Sequence, residues 1–143
     1  MHSLYFAYGS NLASARMRKR VPGAQARGTA RLEGWRLATD KPGADGSAKA
    51  NLVRDAGAHV WGALWEIDDA GFAALDRCER DYERIAVAVA TQGGGVEAWT
   101  YFSRKRTDDL ALRSEYKAWI VAGAAEHGLP SEWQRLLATL PER

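Results

Sequence analysis

Residues 60–67 read Val-Trp-Gly-Ala-Leu-Trp-Glu-Ile, apolar at successive positions and therefore on both faces of an extended chain. A strand of that kind is covered on both sides and belongs in the middle of a sheet. A chain of 143 residues has room for one domain, spanning 1–143, and one ordinary core. Residues 3–8 form a short aromatic strand ended by Gly9, and 27–39 a strand with an irregularity at Gly34. Residues 51–53 make a short strand before an Asp55-Ala56-Gly57 turn, and the Gly-, Asp- and Pro-rich stretch 41–47 is a loop. Residues 84–91 and 96–102 are strands of a hairpin joined by Gly93-Gly94-Gly95.

Helical signals fall between and after these strands. Residues 12–20 are rich in Ala, Met, Arg and Lys and are stopped by Pro22. Asp68 or Asp69 caps a helix running to about Arg80, with Phe72, Leu75 and Glu79 on one face. Residues 114–126 place Tyr116, Trp119, Ile120 and Gly123 on one stripe, and Gly128 suits the C-cap. Pro130-Ser131-Glu132 starts a last helix whose inner face carries Trp133, Leu136, Leu137 and Leu140. This order of elements predicts a single α+β domain: a small mixed β-barrel with flanking helices rather than a doubly wound sheet.

Composition removes several function classes. With 20 basic and 18 acidic residues the net charge is +2, too small to predict nucleic acid as a partner. The cluster Arg16, Arg18, Lys19 and Arg20 reads as a solvated helix face. A lone cysteine, Cys78, excludes an internal disulfide framework, fits a reducing compartment and reads as a small buried hydrophobe. No 18-residue apolar run or signal-peptide pattern is present, so the expected location is the cytoplasm, without a membrane partner. The histidines, His2, His59 and His127, lack metal-ligand spacing, so neither metal nor cofactor is expected. Oligomeric state is open, a homodimer included.

Two places could carry chemistry. In Tyr8-Gly9-Ser10-Asn11-Leu12 a strand turns sharply on glycine and enters a helix. Backbone N–H groups at such a start can hold a carboxylate or an oxyanion. An ordinary turn with Ser10 or Asn11 as cap fits the same residues. The second place is Glu79, on the apolar face of its helix and in its last turn. Burial and the helix dipole both disfavour its charge there, which suits a group that takes and returns a proton. A buried glutamate bonded to an arginine, or a solvated one beyond a shorter helix, are the structural alternatives; Arg77 and Arg80 point away on helical geometry. Tyr5, Tyr8, Tyr82, Tyr101 and Tyr116 could line a pocket with hydroxyls or simply pack.

Tyr5-Phe6-Ala7-Tyr8-Gly9-Ser10-Asn11-Leu12 resembles the N-terminal signature of the γ-glutamylcyclotransferase family. Further blocks follow in that family's order: Val60-Trp61-Gly62-Ala63-Leu64-Trp65, Leu75-Asp76-Arg77-Cys78-Glu79, and Tyr116-Lys117 with the segment Gly123 to Pro130. The resemblance implies a barrel-like α+β fold and release of 5-oxoproline from a small-molecule γ-glutamyl substrate. It implies Glu79 as the acid/base. Tyr5, Tyr8, Gly9, Ser10, Asn11 and Leu12 would hold the γ-glutamyl group, with Tyr116 and Tyr82 as further pocket members. The chain departs from the pattern at Arg80-Asp81-Tyr82, where many members have Gly directly after the Glu. The leaving group is therefore open: an amino acid, an amine or a biosynthetic intermediate. A non-catalytic domain sensing a small carboxylate is the rival from another class.

Overall fold

The computed structural model describes residues 1–143. Its elements are β1 (His2–Ala7), a 3₁₀ turn (Ser10–Leu12), α1 (Ser14–Arg20), β2 (Gln25–Pro42), β3 (Ala48–Asp68), α2 (Asp69–Cys78), β4 (Glu83–Thr91), β5 (Gly94–Phe102), α3 (Ser114–Glu126) and α4 (Ser131–Ala138). The five strands close a barrel in the order β1-β3-β2-β4-β5. β1 and β5 meet in parallel at Tyr5 and Trp99, and the other neighbours are antiparallel. The mixed barrel with flanking helices is thus as expected. No helix is long and apolar enough to cross a membrane.

The apolar segment 60–67 lies centrally, with β1 on one side and β2 on the other. Its strand is far longer than expected, because the Asp55-Ala56-Gly57 sequence does not reverse the chain. Glu33 pairs with His59 and Trp35 with Arg54, so residues 55–58 form a wide bulge and β3 runs on through them. A bulge and a turn ask the same backbone freedom of small and polar residues, so local chemistry did not separate them. Opposite, Gly34 sits at φ +84, the irregularity expected in β2. The predicted loop 41–47 begins later than expected: Lys41 and Pro42 still pair with Lys49 and Ala48. In the β4–β5 hairpin Gly94 already pairs with Thr91, which leaves Gln92-Gly93 as the turn.

The core fills the barrel and the space under the helices. Phe6, Leu12, Trp65, Leu75, Ile120 and Leu137 are fully buried, and each such side chain contributes about 1.5–3 kcal/mol of burial. Asp68 caps α2 by accepting from the Gly71 N–H at 2.7 Å. α3 ends as predicted: the Gly128 and Leu129 amides donate to the Ala125 and Ala124 carbonyls. Leu136 is largely exposed rather than on the inner face of α4, where Trp133 and Leu137 are buried.

One close approach places the site. A methyl group at Gly123 would lie 2.4 Å from the Leu12 and Ala13 backbone. Only glycine lets α3 press against the 3₁₀ turn that follows β1.

Candidate active site

The turn is built differently from the expected helix start. Helix α1 begins only at Ser14, with Ala13 as N-cap and no side-chain cap. The 3₁₀ turn ahead of it is closed by Leu12 N–H to Gly9 O at 3.0 Å and Ala13 N–H to Ser10 O at 3.2 Å. The C=O and N–H of one trans peptide point in opposite directions. Fixing the Gly9 and Ser10 carbonyls therefore aims the Ser10 and Asn11 N–H groups out of the turn, outside its ladder. The next two carbonyls are anchored from behind: Trp65 Nε1 donates to Asn11 O at 3.1 Å, and His127 Nε2 to Leu12 O at 2.8 Å.

The Ser10 and Asn11 side chains are therefore free for other work. Ser10 Oγ accepts from Arg16 Nε at 2.9 Å. Asn11 Nδ2 donates to the Tyr5 hydroxyl at 3.0 Å and to Glu79 Oε1 at 3.1 Å. Its Oδ1 accepts from Arg20 at 3.3 Å. Leu12 is different: it is fully buried in the core and does not line the cavity the other loop residues share.

Glu79 is the C-cap of α2, one residue past the last helical one, so the helix is slightly shorter than expected. It is not solvated. Its side chain is 14% exposed, and Oε1 also accepts from Arg20 at 3.1 Å. Burial pushes the carboxyl up from the ordinary glutamate range. Arg20, the Asn11 hydrogen bond, Arg16 and Lys41 pull it partly back. Both readings of this residue hold in part: it is an inward carboxylate of raised pKa, and it is paired with an arginine, though that arginine comes from α1 rather than from its own helix. The basic cluster divides accordingly. Arg18 and Lys19 are exposed, whereas Arg16 and Arg20, four apart on one face, reach the cavity.

The cavity has a volume of about 350 Å³, near the lower end of small-molecule sites. All five tyrosines line it. Tyr8 donates to Tyr101 O at 2.6 Å, Tyr101 to Asp76 Oδ1 at 2.6 Å, and Tyr82 to Ala50 O at 2.6 Å. The Tyr116 hydroxyl accepts from Ala50 N–H at 3.1 Å. Burial raises the pKa of every one of these phenols, which keeps them neutral hydrogen-bonding groups. The structure thus brings Tyr5, Tyr8, Gly9, Ser10, Asn11, Glu79, Tyr82 and Tyr116 together and leaves out Leu12.

Sequence reasoning missed Arg16, Arg20, Lys41 and Lys49 as cavity residues, and Arg80, expected to point away, also lines the cavity because α2 has ended before it. The four-residue spacing of Arg16 and Arg20 directly after the turn was the available signal for the first two. Cys78, expected in the core, is exposed at the cavity rim.

A family model described as gamma-glutamyl cyclotransferase, AIG2-like, matches residues 5–121. The chain is 32% identical over 146 residues to the gamma-glutamylcyclotransferase of Bos taurus, covering 96% of this chain and 78% of that one. It is 32% identical over 148 residues to the gamma-glutamylcyclotransferase of Homo sapiens, with the same coverage. A solved structure named gamma-glutamyl cyclotransferase superposes with a TM-score of 0.94 at 30% identity, covering 100% of this chain and 90% of that one. An uncharacterized Homo sapiens protein superposes with a TM-score of 0.90 at 31% identity, covering 99% and 89%.

Proposed function

This chain belongs to the gamma-glutamyl cyclotransferase, AIG2-like family, and from that premise we propose that its cavity converts γ-glutamyl amino acids into 5-oxoproline and the free amino acid. The observation that carries this reading is the Glu79 carboxylate, nearly buried yet held by Arg20 and Asn11 in the wall of the cavity. A carboxylate poised between burial, which favours its proton, and cations, which favour its charge, is suited to taking a proton and returning it.

The chemistry follows from that balance. The substrate's α-ammonium gives a proton to ionised Glu79 and becomes a nucleophile. Its nitrogen attacks the γ-carbonyl carbon, closing a five-membered ring, and the carbonyl oxygen gains negative charge. Collapse of this intermediate re-forms the carbonyl and breaks the amide C–N bond. The attacking nitrogen sheds two protons in all, and the leaving nitrogen gains two, so Glu79 can ferry each from one nitrogen to the other and end as it began. The turn amides of Ser10 and Asn11 are suited to the α-carboxylate or to the oxyanion, and a lost donor of the second kind costs about 3–4 kcal/mol of barrier. Folding the chain so that amine meets carbonyl supplies the rest through proximity.

The test is 5-oxoproline release from a panel of γ-glutamyl compounds. Release from at least one γ-glutamyl amino acid is expected. Binding without release across the panel would overturn the reading in favour of a small-carboxylate sensor.

A further inference from the structure

Five cationic residues line the cavity, and they are not equivalent: Arg80, directly after Glu79, is exposed. Arg16 is hydrogen-bonded to Ser10, and Arg20 to Glu79 and Asn11. Lys41 and Lys49 come from elsewhere: they are register partners at the far end of the β2–β3 hairpin. Directly paired residues on antiparallel strands project to the same face, and both lysines line the cavity.

The Lys41 side chain is only 9% exposed, yet its ammonium makes no hydrogen bond to the protein. Its nearest carboxylate oxygen, on Asp81, is 3.7 Å away, beyond hydrogen-bond length. Asp81 is itself half exposed and shared with Lys105. The stem of Lys41 is thus buried while its ammonium keeps donors that an anion in the cavity could take up. Lys49 is 3.5 Å from Asp45. The two ammoniums stand 5.0 Å over the Tyr82 ring and 4.6 Å over the Tyr116 ring. Those tyrosines grip the same residue, Ala50, by its carbonyl and its N–H. One wall of the cavity is therefore a braced platform carrying two cations, separate from the Arg16–Arg20 pair beside Glu79.

A γ-glutamyl amino acid carries two carboxylates, one on the glutamyl unit and one on the leaving amino acid. Resting on the cyclotransferase reading above, we propose that Lys41, seconded by Lys49, binds the carboxylate of the leaving amino acid and so selects γ-glutamyl amino acids against γ-glutamyl amines. The pair positions the substrate and takes no part in proton transfer.

The experiment compares γ-glutamyl-alanine with γ-glutamyl-ethylamine, which differ only in the leaving-group carboxylate. The wild-type protein is expected to prefer the first by about 10- to 100-fold in kcat/KM, the range of one or two charge-assisted hydrogen bonds. In Lys41→Gln the ratio falls toward one, mainly through a higher KM for γ-glutamyl-alanine, and Lys41→Arg keeps most of it. Lys49→Gln lowers the ratio less, and it reads the same effect should Lys41→Gln fail to fold. Equal wild-type use of both compounds, or an equal loss on both in the lysine variants, would overturn the assignment and move the pair to the glutamyl end. Release of 5-oxoproline from neither compound by the wild-type protein would instead bring down the cyclotransferase reading on which it rests.

Discussion

A guanidinium nitrogen of Arg20 lies 3.1 Å from Oε1 of Glu79, a carboxylate 59 positions further along the chain. α1 and α2, which follow the neighbouring strands β1 and β3, are in contact, and the ion pair joins them at the cavity. Burial raises the Glu79 pKa, and Arg20 is the strongest force opposing that rise.

Arg20→Met should therefore move the carboxyl still higher. The proposed mechanism needs Glu79 ionised, so it predicts an acid limb of the kcat/KM–pH profile above the ordinary glutamate range in the wild-type protein. In the variant it shifts to higher pH, and activity near pH 6 falls more than activity near pH 8. A profile that drops uniformly, with no displacement, would assign Arg20 to substrate binding alone.

The same raised pKa predicts a stability effect. The native state holds the Glu79 proton more tightly than the unfolded chain, so folding stability contributed by this group is present below its unfolded value and is lost as pH rises through the folded one. Glu79→Gln removes that loss. Thermal melts should show the variant gaining on the wild-type protein as pH rises from about 4.5 toward neutrality. A constant difference between the two across that range would mean that Glu79 titrates as it does in the unfolded chain.

Gly123→Ala tests the packing that sets the turn. Its added methyl would meet the Leu12 and Ala13 backbone at 2.4 Å, and backbone cannot swing away as a side-chain tip can. A loss of about 1–3 kcal/mol is expected from denaturant melts. Because α3 seats the turn, kcat/KM should fall at temperatures where the variant is fully folded. Unchanged activity at full folding would show that the turn holds its shape without α3.

Much of this was legible along the chain because it depends on neighbours in sequence. The 72–75–79 spacing turned Glu79 inward, Gly34 marked its bulge, and α3 has the bounds its pattern suggested. What failed depends in some places on packing between distant segments and in others on the exact local turn. Arg77 and Arg80 were weighed as partners of Glu79 because they are adjacent, whereas Arg20 reaches it only once α1 packs beside α2. Lys41 belonged to an apparent loop until pairing with Lys49 carried it into β2. Leu12 sits within a motif whose neighbours line the cavity, but the tight 3₁₀ turn rotates its side chain into the core. Cys78 precedes the inward Glu79 by one position, and on a helix that step turns it out to the rim.

The central claim is that Glu79 carries protons between the two nitrogens of a γ-glutamyl substrate, and steady-state 5-oxoproline release by Glu79→Gln reads it most directly. Gln keeps the shape and an oxygen for Arg20 and Asn11 but cannot accept a proton at neutral pH. The account predicts a fall in kcat of about 10²–10⁴-fold, the range of a lost general acid–base group, with substrate affinity by calorimetry changed only a few-fold. Turnover within a few-fold of the wild-type protein would contradict it.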